Sequence, residues 1–249
     1  MSTPDSPPVG MNYSRSLGHF LENRGTFLKN IISDISRQQN SSNEMNLLNN
    51  LRTSIQAKSS SSVSNDLTVS MMLNCSMHLG HSKSYWNPNM AKFILGERSG
   101  IHIIDLEKTL ACLRQAASVT AEIANKGGKI LFVGTSEKLQ RMTYEAATYC
   151  NQFYVNQRWI GGTISNSKSI IGSNIKPDLV IILDLKRNLV AAQECENGNV
   201  PLIAVCDTDC DPRSITYPIP SNDESLPGLE LVAKSSAISA KKGIEGKIF

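Results

Sequence analysis

The chain of 249 residues contains no long hydrophobic run. Its longest uninterrupted apolar stretches, such as Leu179–Leu183, have five residues, whereas a membrane-spanning helix needs about 20. We therefore predict no membrane span and no membrane partner, and the short runs are typical of buried β-strands. Because 40% of the residues are hydrophobic, the chain can still form one sizeable core, or one domain plus a tail.

Disulfide and zinc-binding patterns are also missing. The six cysteines are scattered, only Cys206 and Cys210 are close in sequence, and no CxxC occurs. Most of them lie in apolar segments, so we predict free buried thiols in a reducing compartment. His78 and His81 form an HxxH near Cys75. No second cluster supplies the remaining zinc ligands, and we predict no metal site.

The common signatures of nucleotide binding and hydrolysis are absent as well. The segment Lys129–Lys138 has the order strand, glycine turn and helix, which places backbone N–H groups where anions bind. However, it contains neither GxGxxG nor GxxxxGK[ST], and the chain has no GxSxG elbow. We predict no cofactor at the Gly134 turn.

Three carboxylates alternate along Asp207–Asp211, directly after an apolar run. An EF-hand loop beginning here would need glycine and glutamate where Pro212 and Pro218 stand. The cluster is interpreted either as a magnesium site at the sheet edge or as turn capping before proline, and we favour capping. The competing functional hypothesis is a nucleotide- or phosphoester-handling α/β enzyme that uses Gly134, Asp184 and Asp207.

The composition changes near residue 66. Residues 1–66 are rich in serine and asparagine, and we expect a flexible N-terminal extension with one helix around Leu17–Ser36 and a possible targeting segment. In residues 67–249, apolar runs alternate with helical stripes, which indicates βαβ units and a three-layer α/β/α domain with a mainly parallel sheet. The predicted helices are Leu67–Met77, Glu107–Asn125, Ser136–Cys150, Lys186–Asn197 and Leu226–Lys242, and the predicted strands are Ile101–Leu106, Lys129–Val133, Phe153–Asn156, Asp178–Asp184 and Pro201–Asp207.

Two donor-rich segments show neither helical nor strand periodicity. We call them the first connector, His78–Met90, and the second connector, Asn156–Asn166. Both combine tryptophan with basic residues, asparagine and glycine, and such loops suit phosphate, ribose and unpaired-base contacts. Trp86 and Trp159 either stack on bases or are buried in the core. No acidic residue occurs from Ala146 to Pro177, so the second connector lies in a locally basic stretch.

A series of short motifs in these segments resembles the ribosomal protein S2 family of bacteria and organelles. The resemblance covers roughly residues 67 to 240, and the motifs keep the family's order and spacing. They are His78–His81, Trp86–Pro88, Phe93–Arg98, Gly100–Leu106, Lys108–Thr109, Ile130–Thr135, Tyr154–Trp159, Gly161–Thr163, Asn166, Pro177–Asp178, Asp207–Thr208, Cys210–Pro212, Tyr217–Pro220 and Asn222–Asp223.

The resemblance implies a flavodoxin-like α/β/α domain that binds rRNA and other small-subunit ribosomal proteins between the head and body of the subunit. It implies a structural constituent of the ribosome that supports translation, without catalytic activity, cofactor or metal, and not a homo-oligomer. The candidate RNA-binding residues that it suggests are Lys83, Tyr85, Trp86, Asn87, Lys92, Arg98, Arg158, Trp159, Thr163, Asn166 and Lys168.

The chain departs from the bacterial pattern in two places. Only the short stretch Lys168–Pro177 stands where bacterial relatives carry a long helical hairpin, so we expect that coiled-coil hairpin to be missing. The 66-residue extension has no match in the bacterial core. Both features indicate a mitochondrial form located in the matrix, with the bacterial cytoplasm or the plastid as the alternative.

Overall fold

A computed structural model describes residues 67–166 and 176–246 of the chain. The N-terminal extension and Lys168 lie outside these ranges, as does most of the stretch where the hairpin is expected to be missing. The expectations about them therefore stay predictions. No helix within the two described ranges combines the length and the apolar character that crossing a bilayer requires.

The centre of the fold is a five-stranded sheet formed by β4 (Ile130–Val133), β5 (Phe153–Val155), β6 (Leu179–Ile182), β7 (Leu202–Cys206) and β8 (Tyr217–Pro220). Their order in the sheet is β5-β4-β6-β7-β8, and every neighbouring pair is parallel. This is the strand order of flavodoxin-like sheets. All residues of β4, β6 and β7 are buried, as expected for parallel strands covered on both faces.

Helices cover both faces of this sheet and confirm the predicted three-layer α/β domain. They are α1 Val69–Asn74, α2 Leu106–Asn125, α3 Glu137–Tyr149, α4 Leu189–Asn197 and α5 Leu226–Ile244. Each predicted helix is present within a few residues of its expected ends, except that the first is a short α1 and the fourth begins with a 3₁₀ turn at Lys186–Asn188. Asp105 starts α2 by accepting a hydrogen bond from the Glu107 amide, as N-cap residues do.

The two faces of the sheet are covered differently. Successive residues of each central strand point to opposite faces of the sheet and belong to different core clusters, as Ile181 and Ile182 do. One face packs against α2, α3 and α5. On the other face, buried residues of α4 are joined by four apolar side chains from the connectors and their flanks, namely Met90, Phe93, Trp159 and Ile164. The connectors are therefore part of the layer that covers the same face of the sheet as α4.

The structure corrects two parts of the predicted architecture. The first connector is not wholly irregular, because it contains strand β1 (Leu79–Ser82) and one whole 3₁₀ turn, and it ends inside a second, Pro88–Phe93. Strand β1 forms a small antiparallel sheet with β2 (Ile94–Arg98) and β3 (Ile101–Ile104), in the order β1-β3-β2. Only β3 was predicted, since β1 and β2 are largely exposed and lack an apolar alternation.

Strand β8 was also missed, because Pro218 and Pro220 argue against a strand. It lies at the edge of the sheet and has only one neighbouring strand. Proline is tolerated there, because its missing N–H can lie on the open side of the strand, where no other strand needs it. Proline at this edge also prevents pairing with another chain.

The cysteines are free, as the sequence predicted, and four of the six are buried. Burial raises the pKa of Cys150 to about 11 and the pKa values of Cys195 and Cys210 to about 12. Since the thiolate is the reactive form, these thiols act as small apolar core residues at neutral pH.

The packing of α5 on α2 gives a stability prediction. A Cβ atom at Gly243 would lie 2.9 Å from the Ala124 Cβ and closer still to the Ala121 carbonyl oxygen. We expect Gly243→Ala to lower the free energy of unfolding by about 1–3 kcal/mol through overpacking, measured by urea denaturation. Gly96→Ala is the control, because no atom lies within 4 Å of its added Cβ. A gain of about 1 kcal/mol in Gly243→Ala, as helix propensity alone would give, would contradict the packing argument.

Candidate nucleic-acid interface

The first connector is anchored to the loop that follows β7. The His81 amide donates to the Thr208 hydroxyl oxygen at 2.9 Å, and the Asn87 amide donates to the Thr208 carbonyl oxygen at 2.8 Å. Thr208 is completely buried. Both ends of the exposed turn Lys83–Trp86 are therefore held by one buried residue at the carboxyl edge of the parallel sheet.

A network of charged and polar groups reinforces this anchor. The His81 Nδ1 atom lies 2.9 Å from a carboxylate oxygen of Asp207, and its Nε2 atom lies 3.0 Å from the Lys186 ammonium. Lys186 also forms ion pairs with Asp209 at 2.8 Å and with Asp223 at 2.9 Å. An ammonium group can only donate, so the Nε2 atom of His81 accepts from Lys186, while the Nδ1 atom faces the Asp207 carboxylate.

The pKa shifts follow from this arrangement. Burial raises the pKa of the Asp207 carboxyl, while the hydrogen bond from the Thr208 amide acts in the opposite direction. Burial acts to lower the pKa of Lys186, but its bonds to Asp209 and Asp223 outweigh that effect and raise it. A cation with a raised pKa keeps its stabilising charge at neutral pH and loses it only as the pH rises through the folded-state pKa.

Two triplets in this network bring potential metal ligands together. The donor atoms of His81, Asp207 and Asp223 lie within 4.8 Å of one another, as do those of Asp209, Cys210 and Asp223. The Lys186 ammonium bridges Asp209 and Asp223, so the chain itself supplies a cation to the cluster.

The predicted capping role holds for one of the three carboxylates in the Asp207–Asp211 run. Asp211 accepts from the Arg213 amide at the start of a 3₁₀ turn. Asp207 and Asp209 instead belong to the charged network.

The second connector is held in place by hydrogen bonds to the carboxylate of Glu194 on α4. One carboxylate oxygen accepts from the Trp159 indole nitrogen at 3.2 Å and from the Gly162 amide at 2.6 Å. The other accepts from the Ile164 amide at 3.0 Å. Trp159 and Ile164 are buried beside α4.

This geometry corrects the prediction for Trp159. Its side chain is only 8% exposed and its N–H is bonded to Glu194, so the ring is a core element that cannot stack on a base. Trp86 differs, since 36% of it is exposed and it lies 5.2 Å from the His102 ring. Of the two tryptophans, only Trp86 stays in the candidate interface.

Most of the other candidates of the first connector and its flank are exposed. Tyr85 is 75% exposed. Lys83 forms an ion pair with Glu97 at 2.7 Å, and Lys92 lies 4.8 Å from the centre of the Phe93 ring. Asn87 is half-buried, and its side chain accepts from the Asn89 amide, so it shapes the turn.

The remaining described candidates divide between free cations and turn residues. Arg98 and Arg158 are exposed, and neither forms an ion pair with a residue in the described ranges. The Thr163 hydroxyl donates to the Ile160 carbonyl oxygen at 2.6 Å, so Thr163 stabilises its own turn. Asn166 is exposed, and its backbone N–H donates to the Gly162 carbonyl oxygen. Lys168 lies outside the described residues.

Sequence reasoning missed the residues that anchor the connectors. Thr208 is 127 positions from His81, Lys186 is 105 positions from His81, and Glu194 is 32 positions from Gly162. No local pattern joins residues at such separations. The one available signal was topological, because loops after parallel strands meet at the carboxyl edge of the sheet.

The parallel sheet, the layers that cover its two faces and the anchored connectors define the fold. Comparisons with known proteins define the family. The sequence model of "Ribosomal protein S2" matches residues 72–176 and 168–243. The chain is 33% identical over 224 residues to small ribosomal subunit protein uS2 of Rickettsia peacockii, covering 72% of this chain and 76% of that protein, and equally similar to uS2 of Rickettsia conorii. It is 34% identical over 218 residues to uS2c of Galdieria sulphuraria, covering 71% and 94%.

The chain belongs to the ribosomal protein S2 family. The resemblance drawn from the motifs is thereby confirmed at the level of the family, and the flavodoxin-like sheet is the fold that it implied.

The charged network gives a prediction for Lys186, whose side chain is 36% exposed. We expect Lys186→Met to lower the free energy of unfolding by about 1–3 kcal/mol, because it leaves the Asp209 and Asp223 carboxylates without their shared cation; the loss is smaller than for a fully buried pair. Lys234→Met is the control. It removes an exposed pair with Glu230 and should cost about 0.5 kcal/mol or less. Equal losses in chemical denaturation would show that the network adds no stability.

Proposed function

We propose that this chain is a structural, non-enzymatic constituent of the small ribosomal subunit that supports translation by binding rRNA and neighbouring ribosomal proteins. Its relatives carry the name small ribosomal subunit protein. The observation that carries the proposal is the arrangement of the two connectors. Each is held by hydrogen bonds to buried or half-buried groups. Both keep an exposed basic side chain, Lys83 on the first and Arg158 on the second, and the first also exposes Tyr85 and Trp86.

The exposed groups match the chemistry of folded RNA. Arg98 and Arg158 are free to neutralise phosphates, and Lys83 can exchange Glu97 for a phosphate. Tyr85 and Trp86 offer ring faces for unpaired bases. Because the turns are held in place, less ordering entropy is lost on binding than in a flexible loop.

We also propose that the chain works in the mitochondrial matrix. The stretch from Met11 carries Arg15, Arg24 and Lys29 against only Glu22 and Asp34, a balance typical of import presequences. Fractionation of cells tests this proposal, since a bacterial or plastid ribosome is the alternative. Recovery of the chain outside mitochondria would contradict it.

The competing enzyme hypothesis has less support. The Gly134 amide would be expected to donate a hydrogen bond to a phosphate, but it donates to the Val155 carbonyl oxygen at 3.0 Å. Asp184 accepts from the Arg187 amide, and Asp207 is paired with His81. A thermal-shift screen with nucleotides and Mg²⁺ discriminates between the two hypotheses, because a bound ligand stabilises the native state. Stabilisation at millimolar ligand would favour the enzyme.

The proposed contacts are tested with Arg158→Ala, Lys83→Ala and the double variant. Each lost phosphate contact should weaken association with small-subunit rRNA and reduce the slope of log K against log salt concentration by about 1. Fluorescence anisotropy over a salt series measures both quantities, and circular dichroism checks that the fold is intact.

Two further variants sharpen this test. Lys234→Ala removes a cation from α5 and should leave the salt slope unchanged. Glu97→Gln releases Lys83 from its ion pair and should leave binding as tight as in the wild type, or tighter. Unchanged affinity and slope in the Arg158→Ala/Lys83→Ala variant would refute the assignment of these contacts.

A further inference from the structure

Glu194 gathers donors from the whole turn of the second connector. Its two oxygens accept from the Trp159 side chain and from the Gly162 and Ile164 amides, 30 to 35 positions away in sequence. These three donors lie before, within and after the Gly161–Gly162 pair. One carboxylate therefore fixes the path of the chain on both sides of the glycines.

The turn is built around this acceptor. Gly162 has a φ of +92°, a conformation that L side chains rarely adopt, and its N–H forms the shortest of the three bonds, 2.6 Å. The carboxylate itself is held in place, because its helix neighbours Ala191, Ala192 and Cys195 are buried against the sheet. The position of the turn is thus transmitted from the sheet through α4.

Glu194 stays ionised in this setting. Burial acts to raise the pKa of its carboxyl, but hydrogen bonds from Gly162, Ile164, Trp159 and Ser165 outweigh that effect and lower it. A carboxylate accepts up to four hydrogen bonds and forms stronger ones than a neutral group. The charge is therefore directed at the backbone of the connector, and Arg158, adjacent to the bonded Trp159, is left without an acidic partner among the described residues.

We propose that Glu194 is a positioning residue for RNA binding: it sets the conformation of the second connector so that Arg158 and Asn166 meet the rRNA together. This inference rests on the proposed function. Glu194 makes no contact with the RNA itself and acts only through the turn that it holds.

The first test needs no RNA. Glu194→Ala should speed hydrogen exchange of the Gly162 and Ile164 amides by about fivefold or more, with the β6 amides unchanged. In a Trp86→Phe background, Trp159 is the sole tryptophan, and its emission should become more accessible to iodide. Glu194→Gln keeps an accepting oxygen and should lie between Glu194→Ala and the wild type. Glu196→Ala, an exposed glutamate on the same helix, is the matched control.

The second test measures association with small-subunit rRNA over a salt series for Glu194→Ala, Arg158→Ala and the double variant. Since Glu194 acts through the connector, the two losses of affinity should not add. The double variant should bind rRNA about as tightly as whichever single variant has the lower affinity. Additive losses, or wild-type binding by Glu194→Ala while Arg158→Ala is weakened, would overturn the positioning role. Wild-type binding and salt slope in Arg158→Ala would instead overturn the proposed contact itself.

Discussion

The structure depends on the need of a parallel sheet to be covered on both faces. Helices α2, α3 and α5 cover one face, but in the described residues α4 is the only α-helix that places buried side chains in the core cluster on the other. Met90, Phe93, Trp159 and Ile164 of the connectors and their flanks belong to the same cluster. The connectors are consequently bound to the core by apolar burial, and their polar tips extend from a rigid base.

This constraint links the stability of the domain to its proposed function. The same connectors that close the core carry the exposed basic and aromatic side chains. Polar anchors then fix their orientation, through Thr208 and the Lys186 network for the first connector and through Glu194 for the second. A structural protein that binds folded RNA needs no moving parts or reactive groups under this arrangement, only donors held at fixed positions.

The sequence predicted the elements whose apolar period is strong and missed those whose partners are distant. Strands β4, β6 and β7 are uninterrupted buried runs and were found, whereas β8 was hidden by its prolines and β1 and β2 by their exposure. The two tryptophans have similar local surroundings, yet Trp159 packs in the core beside α4, where Glu194, 35 positions away, accepts its N–H. Local pattern could not separate them, since burial is decided by the fold.

Membership of the ribosomal protein S2 family accounts for the scaffold, and the connectors account for how it would bind RNA. The most direct measurement is ultraviolet cross-linking of purified small subunits that contain this chain, followed by mass spectrometry of the peptides that carry nucleotide adducts. Adducts are expected on the peptide that contains Tyr85 and Trp86. Adducts confined to surfaces outside both connectors would show that the connectors do not bind the rRNA.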